Sequence, residues 1–171
     1  MDLSDEELVS NLNKTGDVRF FEILMDRYKN NIYNFILKYI SSKEDSEDLT
    51  QEIFVKVFFK IASFNSTKAS FKTWLFTITK NSIYNKIKER KMTSLTYEVE
   101  DTHILINEND DIVQKGLNKL DKKYKIILLM YYMEGFKYKE IADILKIPIN
   151  TVKTRIKRAK EFLKNEIKDY I

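Results

Sequence analysis

Glycine and proline are scarce in this chain: three Gly and one Pro occur among 171 residues. A β-sandwich or β-barrel needs turn residues about every 8–12 positions, so the sequence predicts an all-α fold. The chain also has no Cys and a single His. This composition excludes disulfides, thiol catalysis and Cys-ligated metal sites, and it leaves no His pair to hold a metal ion. We therefore expect no cofactor and no metal centre.

Amphipathic segments predict a helical bundle in the N-terminal half. Residues 19–40 carry apolar residues at spacings of three and four, which indicates one long helix with a buried side. A second helix is expected to begin in the acidic stretch 42–52, capped by Ser42 or Ser46. Its inner face is Leu49, Ile53, Val57 and Ile61. After the polar run 63–70, a third helix is expected, with an apolar side formed by Phe71, Trp74, Leu75, Ile78 and Ile87.

Charge divides the chain into three parts. Residues 93–112 contain six acidic and no basic residues, whereas residues 113–171 contain 15 basic and 7 acidic ones. The acidic stretch has no sustained hydrophobic period, so we predict a flexible linker there. The expected domains are residues 1–92 and 113–171. The basic C-terminal part suggests a partner that is a nucleic acid.

The C-terminal part has the spacing of a helix-turn-helix. Residues 122–134 predict a helix that Gly135 stops, and two further helices follow on either side of Pro148. Asn150 or Thr151 is expected to cap the last helix. Its core-facing positions are Val152, Ile156, Ala159 and Leu163. The rest of its surface is cationic, which is typical of a recognition helix, although a plain solvated basic helix gives the same pattern.

Three segments resemble one protein family. They read YKEIADILKIPINTVKTRIKRAKEFL, DSEDLTQEIFVKVFFKIASF and FKTWLFTITKNSIYNKIKERK. The first is similar to region 4 of the extracytoplasmic-function (ECF) sigma factors, the small sigma-70-type initiation subunits of bacterial RNA polymerase. The other two look like sigma region 2. The resemblance implies two small helical domains, a region 2 bundle and a helix-turn-helix region 4, joined by the acidic linker.

The resemblance also implies three sets of site residues. The −35 promoter element would be read by Asn150, Thr151, Lys153, Thr154, Arg155, Lys157 and Arg158, with bases nearest the helix start and phosphates further along. The −10 element would be met by Phe64, Asn65, Lys80, Asn81, Tyr84, Asn85 and Lys88. Core polymerase would bind at Asp45, Asp48, Leu49, Gln51 and Glu52. Trp74 is expected to be mainly structural.

The implied partners are core RNA polymerase through its β′ clamp helices and β flap, promoter DNA, and an anti-sigma factor. No small-molecule substrate is expected, because polymerase performs the chemistry and the chain is not an enzyme. The absence of a signal-peptide pattern or a long apolar run predicts a cytoplasmic protein, which an anti-sigma factor could hold at the inner face of the membrane. One alternative is a stand-alone helix-turn-helix regulator, and another is a magnesium nuclease using carboxylates between Glu44 and Glu52.

Overall fold

A computed structural model describes residues 3–94 and 108–168 of the chain, and in these residues the regular structure is entirely helical. The elements are α1 (Asp5–Thr15), α2 (Arg19–Ile40), α3 (Lys43–Lys60), a 3-10 turn (Ile61–Ser63), α4 (Phe71–Ser94), α5 (Glu108–Lys119), α6 (Lys122–Tyr132), α7 (Tyr138–Leu145) and α8 (Ile149–Ile167). The all-α fold predicted from the sequence is confirmed.

The chain divides into two compact units. Of the described residues, the first unit takes 3–36 and 44–94, and the second takes 37–43 and 108–168. Helices α4 and α5 extend into both ends of the predicted linker 93–112. The remainder of that linker, residues 95–107, lies outside the described residues, so the linker itself stays a prediction.

Helix α1 begins with a capping box. The Glu7 backbone N–H donates to Ser4 Oγ, and the Ser4 backbone N–H donates to the Glu7 carboxylate. Gly16, with φ near +70°, ends the helix in the left-handed conformation that glycine adopts without steric cost. Leu8, Val9 and Leu12 are buried, so this helix belongs to the core of the first unit.

The predicted inner face of α3 is confirmed, because Leu49, Ile53, Val57 and Ile61 are all buried. Ser46 lies inside the helix and is buried, so it does not cap it, whereas Ser42 directly precedes the first helical residue. The inner face of α4 differs from the prediction. Phe71 and Leu75 are buried as expected, but the face continues through Phe76, Thr79, Ser82 and Ile83, and Ile78 and Ile87 are only half-buried.

In the second unit, α6 is capped by Asp121, which accepts a hydrogen bond from the Lys123 backbone N–H at 2.9 Å. The helix ends at Tyr132, and Gly135 follows with φ near +69°. Lys146 takes a similar left-handed conformation after α7. Helix α8 begins at Ile149 with Pro148 as its N-cap, so the prediction that Asn150 or Thr151 caps it is wrong. Asn150 and Thr151 both lie in the first turn of the helix, after its N-cap. Proline is tolerated at a helix start because it does not need to donate a backbone hydrogen bond there.

Candidate nucleic-acid and partner surfaces

The first candidate surface is the exposed start of α3. Asp48, Gln51 and Glu52 are exposed there, and Glu52 forms an ion pair with Lys56 one turn along. Leu49 is only 1% exposed. Its inclusion among the surface residues is therefore corrected: Leu49 is a core residue beneath this face, because the apolar stripe of α3 passes through it.

Asp45 interacts with two basic residues in the C-terminal part of α4. Its carboxylate pairs with Arg90 and lies 3.8 Å from Lys86 Nζ, both on α4, and its side chain is only 15% exposed. Asp45 therefore joins the start of α3 to the last turns of α4, where its charge is partly neutralised. Of the predicted acidic set, Asp48 and Glu52 are the carboxylates that face solvent.

An apolar groove adjoins this acidic face, and the sequence reasoning missed it. The groove has a volume of about 480 Å³ and is lined by residues of α2 and α3: Phe21, Met25, Lys29, Thr50, Gln51, Phe54, Val55, Phe58 and Phe59. Phe59 is 79% exposed, and Phe58 packs edge-on against Phe21 with the ring centroids 5.0 Å apart. Exposed aromatic side chains around a groove are typical of sites that bind a protein, a membrane or a ligand. The pair Phe58-Phe59, continuing past the inner stripe of α3, was the available sequence signal.

The loop between α3 and α4 is ordered by its own side chains. Asn65 Oδ1 accepts hydrogen bonds from the backbone N–H and the hydroxyl of Thr67, at 2.9 and 2.7 Å. Phe64 is half-buried, with its ring 5.7 Å from Phe71 and 5.5 Å from Trp74. Asn65, Ser66, Thr67 and Lys68 are exposed. The loop thus presents a polar, singly basic tip on an aromatic base.

The predicted −10 residues of α4 lie on its outward side. Asn81, Tyr84, Asn85 and Lys88 are exposed, and the half-buried Lys80 places Nζ 5.7 Å from the centre of the Tyr84 ring. These side chains lie opposite the buried stripe through Leu75, Thr79 and Ile83. A face that combines amides, an aromatic ring and lysines can both stack on bases and hold phosphates.

Helices α7 and α8 form the helix-turn-helix of the second unit. Val152, Ile156 and Ala159 are buried, as predicted, and this fixes the rotation of α8, whereas the fourth predicted core residue, Leu163, is only half-buried. Among the predicted −35 residues, Asn150, Lys153, Thr154, Lys157 and Arg158 are exposed, and Thr151 and Arg155 are half-buried. The pKa of Asp121 is lowered, first by the hydrogen bond from the Lys123 backbone and also by the charges of Lys123 and Arg155. Arg155 is thus close to the cap of α6.

Lys160 is exposed, and its amine lies beside an aromatic pair. Its Nζ lies 5.2 Å from the centre of the Tyr132 ring and 5.8 Å from that of Tyr131. A hydrogen bond with Tyr132 raises the pKa of Lys160. An apolar pocket of about 380 Å³ opens beside it; the lining from α5, α6 and α8 includes Leu117, Leu128, Leu129, Met133 and Leu163.

Within residues 3–94 and 108–168, no group of three or more His, Asp or Glu side chains could hold a metal ion. No helix of that part of the chain is long and apolar enough to cross a membrane.

Two helical units, one carrying a helix-turn-helix, are typical of DNA-binding proteins. Comparison with known families identifies the family of this chain. Residues 24–93 match sigma-70 region 2, and residues 110–163 match sigma-70 region 4. The chain is 30% identical to the ECF RNA polymerase sigma factor SigW of Bacillus subtilis, over 91% of this chain and 93% of that one. It is 31% identical to the ECF RNA polymerase sigma-E factor of Haemophilus influenzae, over 96% of each.

The fold agrees with these matches. The sigma factor RpoE of Bartonella quintana, solved in complex with the anti-sigma factor NepR, superposes with a TM-score of 0.78 at 25% identity, covering 86% of this chain and 96% of that chain. The chain belongs to the ECF sigma factors of the sigma-70 family. It directs transcription initiation at specific promoters as a subunit of RNA polymerase. These matches do not support the stand-alone regulator considered above.

Proposed function

We propose that the two units divide promoter recognition between them, with α8 reading the −35 element. The observation that carries this proposal is the orientation of α8. Its apolar edge, Val152, Ile156 and Ala159, is buried against the second unit, which leaves Asn150, Thr154 and the basic residues facing outward. A helix held in this way enters the major groove with its N-terminal residues near base edges and later lysines near phosphates.

In the same proposal, the first unit reads the −10 element. The loop 64–70 holds an unstacked base at its polar tip, and the outward face of α4 follows the neighbouring strand. Phe64 supports the loop by packing on Phe71 and Trp74, so its contribution is mainly to shape. Asn65 uses its Oδ1 within the loop, which leaves its amide nitrogen as the group that can meet a base.

Core polymerase binds both units in this proposal. The acidic start of α3 and the apolar groove beside it suit the β′ clamp helices, because carboxylates at the rim give selectivity and exposed aromatic rings give affinity. The apolar pocket among α5, α6 and α8 suits an apolar segment of the β flap. Polymerase then supplies all of the chemistry, and the chain itself is non-enzymatic.

An anti-sigma factor completes the proposed set of partners. The Bartonella quintana relative was solved with such a factor bound. An anti-sigma factor that covers the groove of the first unit would exclude polymerase by competing for the same apolar surface. We accordingly place the protein in the cytoplasm, where polymerase acts, with tethering at the inner membrane face when its anti-sigma factor is membrane-bound.

The docking proposal is tested with Asp48→Lys plus Glu52→Lys. Both positions are exposed, so the fold should persist, whereas reversal of two rim charges should lower the affinity for core polymerase by at least tenfold. The control is Glu22→Lys plus Asp143→Lys, which makes the same change of net charge at two exposed positions elsewhere. Affinity is measured by titrating labelled chain with core polymerase. Equal affinities of the two double variants would contradict the proposal.

A further inference from the structure

Helix α1 precedes residues 24–93, the part of the chain that matches sigma-70 region 2. One of its carboxylates reaches another helix. Glu6 is half-buried, and its Oε1 accepts a hydrogen bond of 3.1 Å from the backbone N–H of Phe71, 65 positions along the chain. Phe71 is the first residue of α4, the helix that follows the loop 64–70.

The hydrogen bond from the Phe71 N–H to Glu6 gives that N–H group a partner that α4 itself cannot provide. The first N–H groups of a helix have no partner within it, and a negative charge near them is favoured by the helix dipole. The first turn of α4 contains no acidic residue. Ser70 Oγ caps the helix locally by accepting from the Thr73 N–H at 3.2 Å, and Glu6 supplies the carboxylate from outside. The start of α4 is therefore fixed by a local cap and by α1.

Phe71 also supports the first residue of the loop 64–70. The Phe71 ring lies 5.7 Å from Phe64 and 5.8 Å from Trp74, so Phe71 supports the aromatic base on which the loop begins. The other end of the loop, Ser70, is covalently joined to Phe71. Any shift in the position of Phe71 is transmitted to both ends of this seven-residue connection.

Helix α1 is itself firmly anchored. Asp5 accepts hydrogen bonds from Arg27 Nη1 at 2.8 Å and from the Tyr28 hydroxyl at 2.5 Å, and Arg27 Nη2 donates to the Leu3 carbonyl oxygen at 2.7 Å. The Tyr28 ring in turn lies 5.6 Å from Phe71. Because α1 also packs on the 3-10 turn before the loop, Glu6 acts from a rigid support.

We propose that Glu6 is a positioning residue for reading of the −10 element: it sets the geometry of the loop 64–70 through the N-terminus of α4. This inference rests on the proposed function of that loop. Glu6 touches no DNA in this scheme. Its loss loosens the geometry in which the loop holds a base, so discrimination between −10 sequences falls while −35 recognition by the second unit is unchanged.

The test compares Glu6→Ala, Glu6→Gln and Glu7→Ala in the full chain. Glutamine keeps an oxygen that can accept from the Phe71 N–H. Glu7 lies on the same helix but caps it by binding Ser4, so Glu7→Ala weakens α1 without removing the contact to α4. Holoenzyme reconstituted with each variant transcribes templates that differ at one −10 or one −35 base. The Phe71 amide shift is followed in ¹⁵N-labelled free chain, and Asn65→Ala serves as the loop reference.

We expect Glu6→Ala to lower −10 discrimination and to move the Phe71 amide; the loss of discrimination reaches about fivefold if the full stabilisation by a typical helix cap acts on the loop. Glu6→Gln should keep most of the wild-type −10 discrimination and most of the wild-type Phe71 amide shift. Discrimination between −35 sequences should stay constant in every variant. Unchanged −10 discrimination in Glu6→Ala, or equal losses in Glu6→Ala and Glu7→Ala, would overturn the inference. If the Phe71 amide moves but neither Glu6→Ala nor Asn65→Ala alters −10 discrimination, the proposed role of the loop fails, and the inference fails with it.

Discussion

Single side chains of the second unit respond to their surroundings in ways that composition does not reveal. Lys125 is only 5% exposed, and its Nζ donates to Asn118 Oδ1 at 2.7 Å. Burial, with a smaller contribution from the charge of Lys122, lowers the pKa of Lys125 from 10.5 to about 8. Lys125 directly precedes the apolar run 126–130 of α6, and nothing in the sequence indicates that its amine is enclosed.

This shift predicts a dependence of stability on pH. Between pH 8 and about 10.5 the unfolded chain keeps the Lys125 proton that the folded chain has lost, so the contribution of Lys125 to the free energy of unfolding rises with pH over that range. Lys125→Met keeps the side-chain length and removes the titration. The difference in urea midpoint between wild type and variant should therefore change across this range. A difference that stays constant from pH 8 to 10 would contradict the assigned pKa.

Arg155 and Lys164 should separate base reading from phosphate binding. Arg155 lies in the second turn of α8. Arg155→Ala should therefore change which −35 sequences the holoenzyme prefers, at a cost of about 1–3 kcal/mol for a contact to guanine. Lys164 is exposed in the last turns of the helix. Lys164→Ala should weaken binding to all promoters by a similar factor.

Both variants are titrated against promoters that differ at −35, at several salt concentrations. Reordering of promoters by Lys164→Ala together with a uniform loss in Arg155→Ala would show that the orientation proposed for α8 is wrong.

At the scale of elements, strong periodicity was the reliable guide. The apolar stripe from Phe20 to Tyr39 predicted the bounds of α2, and the spacing of Val152, Ile156 and Ala159 predicted the buried edge of α8. Such stripes are decisive because a wide apolar face has to be buried.

Features that depend on tertiary contacts could not be predicted from the periodicity of the sequence. The phase of α4 was misjudged because Phe76 and Ile83 are the residues that its neighbours enclose, whereas Ile78 and Ile87 are only half-buried. The groove beside Gln51 needs two helices to exist, and the contact of Glu6 with Phe71 joins positions far apart in sequence. Pattern analysis of single segments detects neither.

The end of α6 depends on one glycine. Gly135 has φ near +69°, a region that residues with a Cβ enter at a cost, although no atom lies within 4 Å of a Cβ built there. Gly135→Ala should therefore lower the free energy of unfolding by about 1 kcal/mol through backbone strain alone. Gly135→Asn should cost less, since asparagine tolerates this conformation. Urea unfolding monitored by circular dichroism measures both. Equal stability of wild type and Gly135→Ala would contradict the strain argument.

For the whole molecule, the two units contribute different faces to one task. The first unit combines an acidic, groove-bearing surface with the loop 64–70 and the outward side of α4. The second presents the basic helix α8 beside an apolar pocket. Every proposed contact of these faces is with polymerase, an anti-sigma factor or DNA. Promoter choice by polymerase is therefore expected to depend on this chain.

Run-off transcription on a genomic fragment library tests directly whether promoter choice depends on this chain. Core polymerase with the purified chain should produce transcripts from a limited set of start sites that share −35 and −10 sequences, and core polymerase alone should not. The chain with Asp48→Lys and Glu52→Lys should lose these transcripts. Absence of specific starts with the wild-type chain, or sequence-specific protection of duplex DNA by the chain without polymerase, would contradict the account.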